Sequence, residues 1–145
     1  MNETGMTETS MSDPIQVGDQ LPTREVRLTR ADVVRYSGAS TDFNPIHFSD
    51  RHARAIGLDG VIAHGMWTMG AALTGVLDWA GGPEHLVSYF VRFTRPVAVP
   101  DTDEGTLVRF SAQVSAIDEG IATVSIEASC GDDKVLGAAR AEVRL

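Results

Sequence analysis

The sequence predicts an α+β fold in which an antiparallel β-sheet wraps around a central buried α-helix, and two observations carry that prediction. From His64 to Ala80, Met66, Met69, Gly70, Leu73, Val76, Leu77 and Ala80 recur at helical spacing, yet the opposite side (Trp67, Thr68, Ala71, Ala72, Thr74, Gly75) is barely polar. A helix apolar nearly all round buries itself. Downstream the period drops to two: Val87, Tyr89, Val91 and Phe93 alternate with Ser88, Phe90, Arg92 and Thr94, as in a half-buried strand. Three more alternating segments follow, so one sheet face is available to cover one helix.

Met1 to Pro14 is rich in Thr, Ser, Glu and Asp without hydrophobic periodicity, and reads as a disordered tail over residues 1–14, with one domain over 15–145. Thr29 stands three residues before Asp32, a variant of the capping box, and opens a short helix through Val33, Val34 and Tyr36 that Gly38 is expected to end. From Gly38 to His64 the chain is mostly loop, punctuated by Asn44, Pro45, Gly57 and Gly60, with a short helical stretch over Arg51 to Ala55. Loops of this kind concentrate functional side chains. In the helix from His64, the small residues Gly70, Ala71, Ala72 and Gly75 permit close approach of a sheet, and Gly81-Gly82-Pro83 stops it. In the later strands, Val108, Phe110, Ala112, Val114 and Ala116 share one face, then Ala122, Val124, Ile126, Ala128 and Cys130, then Val135, Gly137, Ala139, Ala141, Val143 and Leu145. Asp118-Glu119-Gly120 and Gly131-Asp132-Asp133 supply turns between them, which makes the strands an antiparallel meander.

Composition narrows the function classes. A chain of 145 residues suits one domain, and burial of roughly two-thirds of its unfolded surface needs no covalent staples. The formal charge of -8 disfavours nucleic acid, whose phosphates are bound chiefly by Lys and Arg, and an anionic ligand such as coenzyme A would need a local basic patch. Cys130 is the only cysteine, so an intramolecular disulfide and thiolate metal clusters are excluded. No apolar run is long enough to cross a bilayer, and the acidic N-terminal stretch has neither the basic nor the apolar part of a secretory signal, so a cytoplasmic location is expected.

The chemistry-bearing residues fall in Tyr36-Ser37-Gly38-Ala39-Ser40-Thr41-Asp42-Phe43-Asn44-Pro45-Ile46-His47, continued by Ala53, and in Ala63-His64-Gly65-Met66 at the start of the apolar helix. Pro45 fixes one torsion and moves Asn44 away from helical geometry, so the short segment can present the Asp42 carboxylate and the His47 imidazole to one small volume. Both groups are largely unprotonated at neutral pH when free, and Asn44 can orient either through its amide. Asp42 and Asn44 alone read as turn formers; with His47 and the second element they read as chemistry. A metal site on Asp42, His47 and His64 lacks the paired i,i+4 histidines or cysteine clusters that metal signatures need, and no G-x-S-x-G elbow marks a serine hydrolase.

The D-x-N-P-x-H core at Asp42 to His47 and the A-H-G-M turn at Ala63 to Met66 resemble the MaoC-like (R)-specific enoyl-thioester hydratase/dehydratase family, a hot-dog fold. Likeness to the catalytic type of subunit in mycolic-acid (3R)-hydroxyacyl-thioester dehydratases runs from about Val17 to the C-terminus and includes Val91-Arg92-Phe93. The family's usual glycine before the catalytic aspartate is Thr41 here, which bears on loop flexibility but leaves the catalytic side chains present. The resemblance implies that Asp42 and His47 grip one water, added across a trans-2-enoyl thioester to give the (3R)-3-hydroxyacyl product, or removed in the reverse direction. It makes Asn44 and Gly65 further members of the catalytic set, Gly65 through an outward-pointing amide at the helix N-terminus that can serve as an oxyanion hole. No metal or other cofactor is called for, because coenzyme A or an acyl carrier's phosphopantetheine enters with the substrate.

His64 reads first as a residue bonding loop backbone at the helix entry; with Met66 it is also a candidate to meet substrate. Arg92 and Arg95, with Lys134, Arg109 and Arg24, are candidates to meet coenzyme A phosphates or an acidic carrier protein, against the simpler reading of solvated strand-edge charge. His52 and His85 read as surface residues. The expected partners are an enoyl-CoA or enoyl-acyl carrier protein and a second subunit, either in a homodimer or in a heterodimer with another hot-dog chain, since a lone curved sheet leaves an edge open. Neither nucleic acid nor membrane is expected. Two other functions fit the same fold: an acyl-CoA thioesterase, and a non-catalytic acyl-thioester-binding subunit. The D-x-N-P-x-H element speaks against the first, and the presence of both Asp42 and His47 against the second.

Overall fold

The computed structural model describes residues 13–145, and the expected disordered tail over residues 1–14 lies almost wholly outside them. The chain enters alongside the sheet, where the Gly18 and Leu21 amides donate to the Val114 and Ala112 carbonyls at 2.8 and 2.9 Å. A first strand, β1 (Arg24–Leu28), follows. It goes unrecognised in the sequence because only Val26 and Leu28 mark its inner face, between charged residues.

Thr29 then caps α1 (Arg30–Ser40) with the expected capping box: its hydroxyl accepts from the Asp32 amide, and the Asp32 carboxylate accepts from the Thr29 amide. Those bonds hold the Asp32 carboxyl below its ordinary range. The helix does not end at Gly38. A mid-helix glycine costs about 1 kcal/mol relative to alanine but breaks no hydrogen bond, so α1 continues until Thr41 turns the chain with φ 59° and ψ 16°. A single 3-10 turn (Pro45–His47) and α2 (Asp50–Ala55) interrupt the region read as loop, the latter matching the predicted short helix.

The long helix α3 (Gly65–Ala80) has the expected span, closed by Gly81 at φ 94°. Its burial is narrower than its apolar composition suggests. Thr68, Ala72 and Val76 form the buried stripe, while Met66 is 60% exposed. The reason is geometric: a single sheet covers one side of a helix, and the remaining apolar side chains need another surface. Among the small residues only Ala72 is buried; a Cβ on Gly70 would meet nothing within 4 Å among the described residues, whereas one on Gly75 would lie 3.1 Å from the side chain of Arg24 on β1. The Tyr89 hydroxyl donates to the Met69 carbonyl at 2.7 Å, tying helix to sheet, and burial pushes the Tyr89 pKa up.

The strands β2 (Leu86–Phe93), β3 (Thr106–Asp118), β4 (Ile121–Cys130), β5 (Asp133–Lys134) and β6 (Leu136–Arg144) complete a six-stranded sheet in the order β1-β3-β4-β6-β2, with β5 paired to β4. All pairs are antiparallel. The meander holds for β3, β4 and β6, but β2 pairs with β6 at the far edge rather than with its successor β3. Register shifts also change some expected faces. In β2, irregularities between Leu86 and Ser88 and between Phe90 and Arg92 leave Leu86, Tyr89 and Val91 half-buried, whereas Val87, Phe90 and Phe93 are exposed. A shift between Val114 and Ala116 turns Ala116 outward. Ala138, with φ 48°, interrupts the last segment, where Val135 and Leu136 are both buried; Leu145, beyond the end of β6, is exposed.

Residues 94–105 connect β2 to β3 across the sheet and bury Val97 and Val99. They form a short ladder with the segment before α3: Ala63 donates to Val97 at 2.8 Å and Val99 donates to Val61 at 3.0 Å. This ladder is what fixes the entry to α3. No helix among the described residues is long and apolar enough to cross a membrane.

Candidate active site

The loop after α1 is built from two successive side-chain caps. The Asn44 amide donates to Asp42 Oδ1 at 3.1 Å, and the Ile46 amide donates to Asn44 Oδ1 at 3.2 Å. Pro45 opens the 3-10 turn, which the His47 amide closes on the Asn44 carbonyl at 3.0 Å. Asp42 and His47 thereby meet: His47 Nε2 lies 3.8 Å from Asp42 Oδ2. The two groups differ in setting, because the His47 side chain is 7% exposed and that of Asp42 is 52% exposed. Asn44 orients Asp42 through its main-chain amide; its side-chain oxygen is occupied as a cap.

The ring of His47 is fixed from behind. Its Nδ1 lies 2.8 Å from the Ile62 carbonyl. A carbonyl only accepts, so Nδ1 carries the proton and Nε2, in the neutral ring, offers its lone pair toward Asp42. The Ile62 amide in turn donates to the Ile46 carbonyl at 3.2 Å. One peptide unit on each side of Ile62 thus holds the loop, and the ladder to residues 97–99 holds Ile62. The Asp50 carboxylate adds a second tie, accepting from the Val61 amide and from Arg30, both at 2.9 Å. Burial lowers the His47 pKa; the Ile62 carbonyl raises it, His64 lowers it and Asp42 raises it, in decreasing order of effect.

His64 is 2% exposed and stacks on His47, with ring centroids 3.7 Å apart and planes 22° from parallel. Its Nε2 lies 3.1 Å from the Asp42 carbonyl and 3.3 Å from Ser37 Oγ, and the Tyr36 ring is at 4.8 Å. Among the described residues the buried polar side chains are Ser37, His47, His64 and Thr68. Three of the four belong to this cluster.

Gly65 follows as the first residue of α3, exposed, with no intrahelical acceptor for its amide. It borders a cleft of about 310 Å³ lined also by Ile62, Thr68, Phe93, Arg95 and Val135. The Phe93 ring packs close: a Cβ on residue 65 would lie 3.1 Å from it, so a larger residue there needs the ring to shift. Of the other candidate substrate contacts, Arg95 lines the cleft, with Nε 3.8 Å from Asp133, whereas Arg92 and Met66 are exposed and do not line it. His64 does not line it either. Ser37 joins the histidine cluster and Phe93 the cleft, which neither Asp42 nor His47 lines; both stand in stretches that carry the family resemblance but have no role of their own there, and Ile62 is not singled out in the sequence. Ile62 contributes only main-chain groups, which no residue type announces.

Donor atoms of Asp42, His47 and His64 lie within 4.8 Å of one another, close enough to raise the question of a metal. The donor set does not fit one. Stacked imidazoles direct their in-plane lone pairs side by side, not to a common point, and His64 Nε2 is committed as a donor to the Asp42 carbonyl.

Comparison with known proteins gives one consistent picture. Residues 12–129 match the family described as "MaoC like domain". The chain is 41% identical over 81 residues to 3-hydroxyacyl-thioester dehydratase X of Mycobacterium tuberculosis, a match covering 56% of this chain and 28% of that protein. A solved MaoC-like dehydratase is 36% identical, with a TM-score of 0.86, over 90% of this chain and 41% of the other. The (R)-hydratase of A. caviae involved in PHA biosynthesis is 25% identical, with a TM-score of 0.77, over 92% and 99% of the two chains. The chain thus spans little more than a quarter of the curated dehydratase but nearly all of the (R)-hydratase.

Proposed function

Because the chain belongs to the MaoC-like domain family, a family of hot-dog dehydratases and hydratases, we propose that it adds water reversibly to trans-2-enoyl thioesters to give (3R)-3-hydroxyacyl thioesters. The observation that carries this reading is the 3.8 Å separation of Asp42 Oδ2 and His47 Nε2. It is too long for a direct hydrogen bond, yet a single water at about 2.8 Å from each can donate to both. Its oxygen lone pairs then face outward for attack on C3 of the enoyl group.

In the hydration direction the water oxygen bonds to C3 as its proton passes to the dyad, the C2–C3 π electrons move toward the thioester carbonyl, and the dyad returns a proton to C2. Water is added in full and no cofactor takes part. The Gly65 amide, helped by the dipole of α3, meets the charge developing on the carbonyl oxygen. Arg95, which lines the cleft, is suited to an anionic carrier, coenzyme A or a phosphopantetheine-bearing protein. The exposed edge of β2 suits a second hot-dog subunit, identical or related, in a cytoplasmic dimer.

The test is to incubate the purified protein with crotonyl-CoA and longer enoyl-CoA thioesters, following enoyl absorbance and free thiol together. Loss of the double bond without thiol release is expected. Thiol release would show a thioesterase instead, and neither signal, with bound acyl-CoA in equilibrium dialysis, would show a non-catalytic binding subunit.

A further inference from the structure

We propose that His64 is a positioning residue of this site: its Nε2–H clamps the main-chain carbonyl of Asp42 while its ring braces His47, and Ser37 holds it in that orientation. The inference rests on the dyad assignment above. His64 Nε2 lies 3.1 Å from the Asp42 carbonyl, which can only accept, so the proton sits on Nε2. The Ser37 oxygen, 3.3 Å from the same nitrogen and 3% exposed, is a second acceptor for that proton.

This orientation leaves Nδ1 of His64 buried with no hydrogen-bond partner among the described residues. An unpartnered buried nitrogen opposes folding, and such atoms are rare enough in native proteins that each calls for a reason. The reason here is what the rest of the ring accomplishes. The Ile62 carbonyl fixes His47 within its own plane, and the stacked ring of His64, 3.7 Å away, fixes it perpendicular to that plane. On the other half of the dyad, the clamp fixes the peptide from which the Asp42 side chain projects. One imidazole therefore sets both ends of the Asp42–His47 distance. A shared water tolerates little error in that distance, since a displacement of about 1 Å in a catalytic group costs on the order of 10²-fold in rate. The adjoining residue, Gly65, begins α3, so the clamp also registers the dyad loop against the helix end.

The variants His64→Ala, His64→Gln and Ser37→Ala separate positioning from general support. In His64→Gln the side-chain amide nitrogen would stand where Nε2 stands and keep the clamp while losing the stack. His64→Ala should lower kcat by roughly 10- to 100-fold with KM changed by less than about threefold, and His64→Gln should recover about tenfold of that loss. His64→Ala should also move the acid limb of kcat/KM upward, because water reaching the freed face of His47 solvates its charged form. Asp42 and His64 are the titratable groups facing His47.

Long-range proton–nitrogen NMR of the wild-type protein tests the same point without a variant: His64 should be protonated at Nε2 and bare at Nδ1, with the reverse at His47. Overturning results are a His64 protonated at Nδ1, a His64→Ala enzyme with wild-type kcat, or a folded His64→Gln enzyme no better than His64→Ala. If Asp42→Asn and His47→Ala keep their hydration activity, the dyad assignment itself has failed. If those two are inactive while His64→Ala is unimpaired, only the positioning role falls.

Discussion

Replacing Asp42 by asparagine removes the carboxylate with almost no change of shape. Asp42 Oδ1 accepts the Asn44 amide at 3.1 Å, a bond that an amide oxygen reproduces, and the side chain is 52% exposed. Folding stability should therefore change by no more than about 0.5 kcal/mol, or about 2 °C in Tm. What disappears is the acceptor at Oδ2, 3.8 Å from His47 Nε2. A water between them keeps one acceptor and faces an NH2 group in place of the other. A positioned acid or base contributes about 10²- to 10⁴-fold, so kcat for crotonyl-CoA hydration should fall at least about 10²-fold, equivalent to about 2.7 kcal/mol of transition-state stabilisation. KM should move by less than about threefold, since the variant is isosteric. A kcat within about threefold of wild type would refute the shared-water mechanism. So would a loss of rate accompanied by a Tm drop of about 10 °C, which would mark Asp42 as a structural residue.

Burial lowers the His47 pKa from 6.5, so its neutral form persists to more acidic pH than in the unfolded chain, and the acid limb of kcat/KM should lie below 6.5; a limb at about 7 or above would contradict the buried, neutral Nε2. The unfolded chain binds the His47 proton first as pH falls, so this residue's contribution to stability is complete above 6.5 and is lost as pH drops from there through the folded value, a trend that urea titrations at several pH values should follow. Thr41 holds φ 59° as a β-branched residue, and Thr41→Gly should stabilise the fold by about 0.5–1 kcal/mol, the net of about 1–2 kcal/mol of relieved strain and the larger chain entropy of glycine; equal or lower stability in urea unfolding would show that Thr41 is not strained. Phe90, 44% exposed on the edge strand β2 beside Arg140, should lie in the subunit contact, so Phe90→Lys should convert a micromolar dimer to monomer in sedimentation; a fully active wild-type monomer would dispose of that contact.

The parts of the fold legible in the sequence were those in which one local signal repeats. The capping box at Thr29 and Asp32, the span of α3 and the inner face of β4 each follow from periodicity or from a cap that acts within a few residues. The parts that were not legible depend on partners distant in the chain. β1 has only two apolar inward residues and exists because β3 offers it a ladder from Arg24↔Phe110 to Leu28↔Thr106. The inward face of β2 is set by two register shifts against β6, and a shift of one residue reverses every later side chain. Gly38 misleads because a glycine permits a helix end without requiring one, whereas Thr41, with no composition signal for a left-handed turn, closes α1.

The same division runs through the site, and it says where the catalytic geometry comes from. Of the proposed catalytic set, Asp42 and His47 stand out in the sequence by their side chains and Gly65 by the lack of one, whereas Asn44 meets Asp42 through its main-chain amide and Pro45 is a local constraint on the backbone. The 3.8 Å separation of the dyad is not legible, because it is set by the Ile62 carbonyl behind His47 and by the His64 ring between His47 and the Asp42 carbonyl. Ile62 in turn is placed by the ladder to the β2–β3 connection, a segment whose alternation is confined to Val97 and Val99. The motif therefore carries the two groups proposed to react, and the distance between them is a tertiary property. A chain bearing D-x-N-P-x-H without an acceptor at the position of the Ile62 carbonyl would hold the same two side chains and leave the His47 tautomer unfixed, so that Nε2 would no longer be committed to the water that the proposed mechanism places between it and Asp42.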